Sequence, residues 1–184
     1  MAPVTEGAAA ELIHTTQYRT HAVRGTTAQA VLRYMNAHPI IDPDDGPAYA
    51  NLTHDHHLSM ATFAAGGVCR VKNLRFTWRF VLTLPKAVDY GAMNASTRSK
   101  WDAFVAGLKR HEETHRAIFL KCGKKFVPAA ERITAAGGCA GLENKVRRSI
   151  ERAYAACMSE QRAFEKRDRP RILGLAFVQA ARSQ

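Results

Sequence analysis

Apolar and polar positions alternate along the first half of the chain, then repeat every three to four residues along the second. Between Gln17 and Arg24 the alternation predicts a strand, with Gly25 as the turn behind it. Thr26 or Thr27 then caps a short helix through Ala28, Val31, Leu32 and Met35, which closes before Pro39. Ile40 to Ala48, with Asp42-Pro43-Asp44-Asp45-Gly46-Pro47 inside it, predicts a loop. Tyr49 to Ala65 reads as extended, and Gly66-Gly67 turns the chain. Cys69 to Leu84 reads as a long strand ending at Pro85, with Val71, Leu74, Phe76, Trp78, Phe80 and Leu82 as its apolar positions. Two extended runs about a Gly-Gly pair predict a β-hairpin.

The period changes at Asn94. Asn94-Ala95-Ser96-Thr97 supplies the N-cap of a helix reaching about Phe126, short of Pro128. Ala135-Ala136-Gly137-Gly138 breaks the pattern. A last helix, Ala140 to Arg167, turns Leu142, Val146, Ile150, Tyr154, Cys157 and Phe164 inward and is stopped by Pro170. The sum is an α+β architecture, a small antiparallel sheet packed on two long helices. At 184 residues it is expected to be one domain, with residues 1–16 as a flexible N-terminal segment.

The first long helix carries the chemistry. Its apolar stripe runs through Trp101, Phe104, Val105, Leu108, Ile118, Phe119, Cys122 and Phe126, while Lys100, Lys109, Arg110, Glu113, Arg116 and Lys121 occupy the polar face. On the apolar side lies one copy of the HExxH pattern, His111-Glu112-Glu113-Thr114-His115. Residues four apart on a helix stand one above the other, so His111 and His115 can point at a single ion. Glu112, about 100° round the helix by the 3.6-residue repeat, can address a water held by that ion. Two imidazoles and a carboxylate turned towards a core must be paired or metal-bound, because a buried unpaired charge is costly. The alternative, a helix with two surface histidines, fails on the face they occupy. The glycine and third histidine of the metzincin extension are replaced by Ile118 and Lys121, which excludes that class. A third ligand is therefore expected from the last helix: Glu165 is the first choice, with Asp168, Glu151, Glu143 and Glu160 behind it.

A second group, His54-Asp55-His56-His57, falls on a predicted strand, where His54 and His56 share a face. It lacks a further ligand at fixed spacing and is a compositional hint only.

Composition adds three limits. No apolar run approaches the eighteen or so residues of a membrane span. The formal charge of +11 admits nucleic acid or acidic polymers as partners, but the basic residues are spread, apart from Lys121-Lys124-Lys125 and Arg147-Arg148-Arg152, and lack interleaved aromatics. A solvated basic surface is the better reading. Cys69, Cys122, Cys139 and Cys157 form no CxxC pair, and Cys122 stands about 10 Å along the helix from His115, too far to share its ion. Three pairings are open to them, and an even count favours two disulfides in an oxidising compartment. Met1 to Glu11 does not read as a signal peptide, which is expected of a cytosolic protein or of one whose leader has been removed.

From about Tyr18 to Arg171 the order of parts resembles a bacterial family of unknown function predicted to be secreted zinc-dependent proteases. The resemblance rests on Tyr18 to Gly25 leading into a short helix, Gly46-Pro47, Gly67-Val68-Cys69-Arg70-Val71 and Leu84-Pro85. It continues through Trp101-Asp102-Ala103-Phe104 with Leu108, the His111 to His115 motif, and Cys139-Ala140-Gly141-Leu142. It implies a zincin-like metallopeptidase with His111 and His115 as zinc ligands, Glu112 as base and a peptide or protein as substrate. It also implies export to the periplasm or beyond, and a Cys69–Cys139 disulfide, which leaves Cys122 and Cys157 as a candidate second bridge between the long helices. Members finish with a Tyr-Asp pair and then Thr-x-His-Gly. Here Phe164 and Glu165 stand for the pair, and Pro170 stands where the histidine falls. If that histidine is the family's third ligand, this chain lacks it; if the aspartate is, Glu165 can substitute. Two rival expectations follow from the same residues: a zinc-binding protein without catalysis, and a basic module that binds an envelope polymer or nucleic acid.

Overall fold

The computed structural model describes residues 9–43 and 46–183. Among them, in chain order, are β1 (Glu11–Val23), α1 (Ala28–Ala37), β2 (Ile40–Asp42), β3 (Gly46–Ala48), β4 (Asn51–Ala65) and β5 (Val68–Ala87). After a 3-10 turn at Tyr90–Ala92 come α2 (Ala95–Glu131), β6 (Thr134–Ala136), α3 (Leu142–Leu173) and α4 (Ala176–Arg182). The α+β class holds, with four helices and a sheet ordered β1-β5-β4.

That sheet is mixed, whereas alternation alone suggested an antiparallel one. β4 and β5 are neighbours joined by two glycines, Gly66 and Gly67, at φ 59° and 75°; so short a connection makes a hairpin. β1 runs the other way relative to its partner than a hairpin strand would. Glu11 pairs with Arg75 at 2.8 Å near one end, and the Val88 N–H donates to the Val23 carbonyl at 2.9 Å at the other, so β1 and β5 advance in parallel. Alternation reports which face a side chain takes, not the strand's direction. Along β5 the buried positions pass from Cys69 and Val71 to Leu74, Phe76, Trp78, Phe80 and Leu82, a change of phase. Asn73, in the left-handed region at φ 54°, marks the bulge that lets both halves keep their apolar residues inside.

Other boundaries shift for identifiable reasons. Glu11 to Thr16 belong to β1 and do not form part of a flexible segment; residues 1–8 of that segment lie outside the described residues. Ile40–Asp42 and Gly46–Ala48 pair as antiparallel strands within the expected loop, whose Asp44 and Asp45 also lie outside the described residues. Pro128 and Pro170 sit inside α2 and α3, each in the last turn. A proline there gives up one backbone bond, but buried Ala130 and Ile172 beyond it hold the turn in place. β6, pairing antiparallel with β5 through Cys69↔Ala135, forms where a break was expected.

The chain packs as two compact units that share the long elements. The first takes the chain up to Thr15, Asp55–Arg79 and Ile118–Glu160. Its core is aromatic, with Phe76 against Trp78 (ring centroids 5.0 Å apart) and Phe126 (4.9 Å), and Trp78 against Phe119 (5.2 Å). At Gly123 helix α2 runs close to β1: a Cβ there would meet the tip of the Leu12 side chain at 3.0 Å. Disulfides join Cys69 to Cys139 and Cys122 to Cys157, closing loops of 70 and 35 residues. By the loop-entropy argument each stabilises the unit by about 4 kcal/mol.

The second unit takes Thr16–His54, Phe80–Ala117 and the chain from Gln161 onward. Its core joins Val23, Val31, Leu32 and Met35 to Trp101, Phe104 and Leu108 of α2 and to Ile172, Phe177 and Val178 near the C-terminus. Thr27 caps α1 by accepting from the Ala30 N–H, as its place in the sequence predicts. Gly25 precedes it at φ 129°, where a Cβ would collide with the Val31 nitrogen at 2.7 Å. Helix α4, unexpected from sequence, is too short to stand alone. It packs on α1, and fully buried Phe177, stacked on Phe104 at 5.2 Å, contributes about 1.5–3 kcal/mol to holding it.

Candidate metal centre

Within the second unit, α2 and α3 run antiparallel, and facing stripes bring two sets of polar side chains together. On α2 the stripe is Trp101, Phe104, Leu108, His111 and His115. On α3 it is Gln161, Phe164, Asp168 and Ile172, with Glu165 beside them. His111 (8% exposed), Glu112 (5%) and Gln161 (4%) are buried although all three are polar. Such groups are tolerated inside a fold only when hydrogen-bonded or bound to an ion.

The three residues expected to share an ion are the three that converge. His111 Nε2 lies 2.9 Å from Glu165 Oε2, His115 Nε2 lies 3.5 Å from the same oxygen, and the two Nε2 atoms are 3.1 Å apart. Ligands of a tetrahedral ion with bonds of about 2.0–2.1 Å stand about 3.3–3.4 Å from one another. The triangle therefore has the dimensions of one face of such a site, and it can hold a metal ion. Among the described residues it is the one group of three or more such side chains that does.

The other ring nitrogens decide which lone pairs face the centre. His111 Nδ1 is 2.7 Å from Asp168 Oδ2, and a carboxylate can only accept, so Nδ1 carries the proton. Asp168 is itself held by Arg171 through two bonds of 2.7 Å. His115 Nδ1 donates to Gln161 Oε1 at 2.6 Å, while Gln161 Nε2 donates to the His115 backbone carbonyl at 2.9 Å. That second bond sets which way the Gln161 amide points, and hence the tautomer of His115. With both Nδ1 atoms committed as donors, each Nε2 faces Glu165: it donates to that carboxylate while the imidazole is charged, and once the imidazole is neutral it has a lone pair for a positive centre. Phe164 walls the site, its ring centroid 5.0 Å from that of His111 and 4.8 Å from that of His115.

The electrostatics agree. Burial pushes the His111 imidazole down, but Glu165, Asp168 and Glu112 together outweigh it and raise its pKa to about 9. His115 is likewise raised, through Glu165, Gln161 and Glu112 against the cost of burial. The imidazoles in turn hold Glu165 far below the usual carboxylate range. Hydrogen bonds from Arg171 and then His111 lower Asp168 to about 2. This is a cage that favours positive charge at its centre. Glu112 is different: burial raises its carboxyl to about 7, the two histidines opposing, with the negative charges of Asp42 and Glu165 adding to the rise. A carboxyl poised near neutrality is suited to accept and return a proton.

Of the other carboxylates weighed as ligands, Asp168 supports His111 from behind. Glu160 pairs with Lys121 at 3.3 Å, Glu143 pairs with Arg147 at 2.6 Å, and Glu151 is exposed on α3. Gln161 and Asp42 were not anticipated. Gln161 was findable: it shares the 3-4 spacing of Cys157, Phe164 and Asp168, a stripe that faces α2. Nothing in the sequence pointed to Asp42, which acts across the fold.

These features define an α+β protein with a histidine–carboxylate cluster built across two antiparallel helices. The chain belongs to the family described as bacterial protein of unknown function (DUF922), which matches residues 18–171. No curated protein and no solved structure matches the chain, so no structural neighbour supports the zincin-like fold that the resemblance implied.

Proposed function

We propose that the protein is a zinc-dependent peptidase or amide hydrolase of the HExxH type. In this reading His111, His115 and Glu165 hold the ion and Glu112 is the general base. The observation that carries it is the pairing of Asp168 and Gln161 with the two Nδ1 atoms, which leaves both Nε2 atoms turned towards one carboxylate oxygen. Two imidazoles and one carboxylate form a ligand set typical of catalytic zinc. A zinc ion there supplies Lewis acidity, acidifying a water and polarising the substrate carbonyl. The chain's own residues do the rest. Water adds to the amide carbon, Glu112 takes one of its protons, the C–N bond breaks, and Glu112 delivers that proton to the leaving amine. Asp168 and Gln161 keep the imidazoles oriented throughout.

The two disulfides support an oxidising location, periplasmic or secreted. Among the described residues no helix is long and apolar enough to cross a membrane. The test is metal analysis beside a peptidase assay on wild type and Glu112→Gln. One equivalent of zinc is expected in both, with turnover lowered at least about a hundredfold in the variant, since a general base contributes about 10²–10⁴. Zinc at one equivalent without turnover in wild type would overturn the catalytic half of the reading; zinc-free protein would overturn all of it.

A further inference from the structure

Glu165 faces two ways. One of its oxygens lies between the histidines, and its side chain also lines a surface pocket of about 400 Å³ with Arg162, Lys166, Arg169, Pro170 and Leu173. A volume of that size suits a small ligand or a short piece of peptide. Arg162, Lys166 and Arg169 fall three residues before Glu165, one after it and four after it, so three cations ring the one carboxylate that the histidines already engage. Neighbouring arginines are committed elsewhere: Arg171 to Asp168, and Arg167 over the Phe164 ring at 5.7 Å. Among the described residues no ion pair engages the three that line the pocket, while Pro170 and Leu173 add apolar surface to its lining.

We infer that this pocket selects the substrate: it receives a carboxylate of the bound peptide within about two residues of the bond to be cleaved. This rests on the peptidase reading of the adjoining cluster. The reach follows from dimensions. Arg162 and Arg169 stand about 4.5 and 6 Å along the helix from Glu165 at 1.5 Å per residue, and an extended peptide advances about 3.3–3.6 Å per residue. Arginine forks bind carboxylates through two parallel bonds, which gives direction as well as attraction. The carboxylate has two sources, an acidic side chain or the peptide's free C-terminus.

The test uses zinc-loaded Glu112→Gln protein, which cannot turn over, and fluorescein-labelled hexapeptides read by anisotropy. One pair differs by Glu against Gln at a single position with the C-terminus amidated. A second pair has no acidic residue and differs only by free against amidated C-terminus. At least tenfold tighter binding of the carboxylate member is expected in one pair, and the pair concerned names the source. The preference should shrink to within twofold in the exposed double variant Arg162→Gln/Arg169→Gln, return in part in Arg162→Lys/Arg169→Lys, and weaken as salt rises. Equal binding within both pairs, or a preference unchanged in the double glutamine variant, overturns the inference. Turnover of any peptide by wild type reports separately on the peptidase reading, so either idea can fail alone.

Discussion

Each compact unit sets histidines against other side chains, and the two sets differ in what surrounds the ring. In the first unit His56 lies flat on Phe76, with centroids 5.2 Å apart and planes 15° from parallel, and meets Trp78 edge-on at 5.3 Å and Tyr154 at 5.9 Å. Burial holds its pKa below the ordinary histidine value, with Asp55 opposing. It serves as an aromatic plate and is most stable neutral. In the second unit His111 is buried and His115 half-buried, yet their pKa values are driven upward, because a carboxylate lies at Nε2 and an acceptor at each Nδ1. Pairs of histidines on one face occur in both places. Only the pair on α2 meets Glu165, Asp168 and Gln161 from a second helix. An imidazole becomes a ligand through what its two nitrogens face, and same-face spacing merely permits it.

The largest effect that tests this contrast is loss of the ion that the proposed function assigns to the α2 pair. His111→Ala removes a ligand and leaves Glu165 and Asp168 without their buried partner. Metal content after dialysis is expected to fall from one equivalent to near zero. His56→Ala should keep one equivalent, since its ring touches aromatics and no ligand. The reverse result, metal kept without His111 and lost without His56, would break the comparison.

A smaller effect sharpens it. Gln161→Leu preserves volume but takes the acceptor from His115 Nδ1 and the donor from the His115 carbonyl. Loss of a hydrogen bond that orients a ligand costs about 10–100-fold in metal affinity. Competition against a chelator should show a fall in that range, with the fold intact by circular dichroism. Asp168→Asn should cost less, because an amide oxygen can still accept from His111. If Gln161→Leu bound metal as tightly as wild type, the tautomer argument would be wrong.

Much of this was legible before any coordinates. The period-3.6 stripe through Trp101, Phe104 and Leu108 puts His111 and His115 on the apolar face; His111 is buried there and His115 half-buried. Glu165 was reached because a third ligand had to come from the last helix, and it lies beside the imidazoles. The disulfide pairings implied by the resemblance are those formed. What escaped were features set by partners distant in sequence. The parallel pairing of β1 with β5 leaves no mark on either strand. Helix α4 is held by Phe177 against α1 and α2, and its seven residues are too few to declare a period. Pro128 and Pro170 carry the local signature of helix stops, and the burial of Ala130 and Ile172 just beyond them overrides that propensity.

The smallest effect is also the most discriminating, because it depends on the sign of a shift. Burial favours neutral His56 in the folded chain, so its folded pKa lies below that of the unfolded chain, about 6.5. As pH falls below that value the unfolded chain takes up the proton first. The stabilisation is therefore complete above about pH 6.5 and is lost as pH drops through the folded pKa. One proton cannot give a slope steeper than about 1.4 kcal/mol per pH unit. His56→Phe keeps a ring against Phe76 and Trp78 but has nothing to titrate. Urea midpoints measured from pH 7.5 to 5 should fall less for the variant than for wild type, and, once multiplied by m, the two should diverge by no more than that slope. A wild type that loses no more stability than His56→Phe over this range would mean that the ring takes up its proton as readily in the fold as in the unfolded chain, and the contrast between a packing histidine and the carboxylate-facing pair would fail on the packing side.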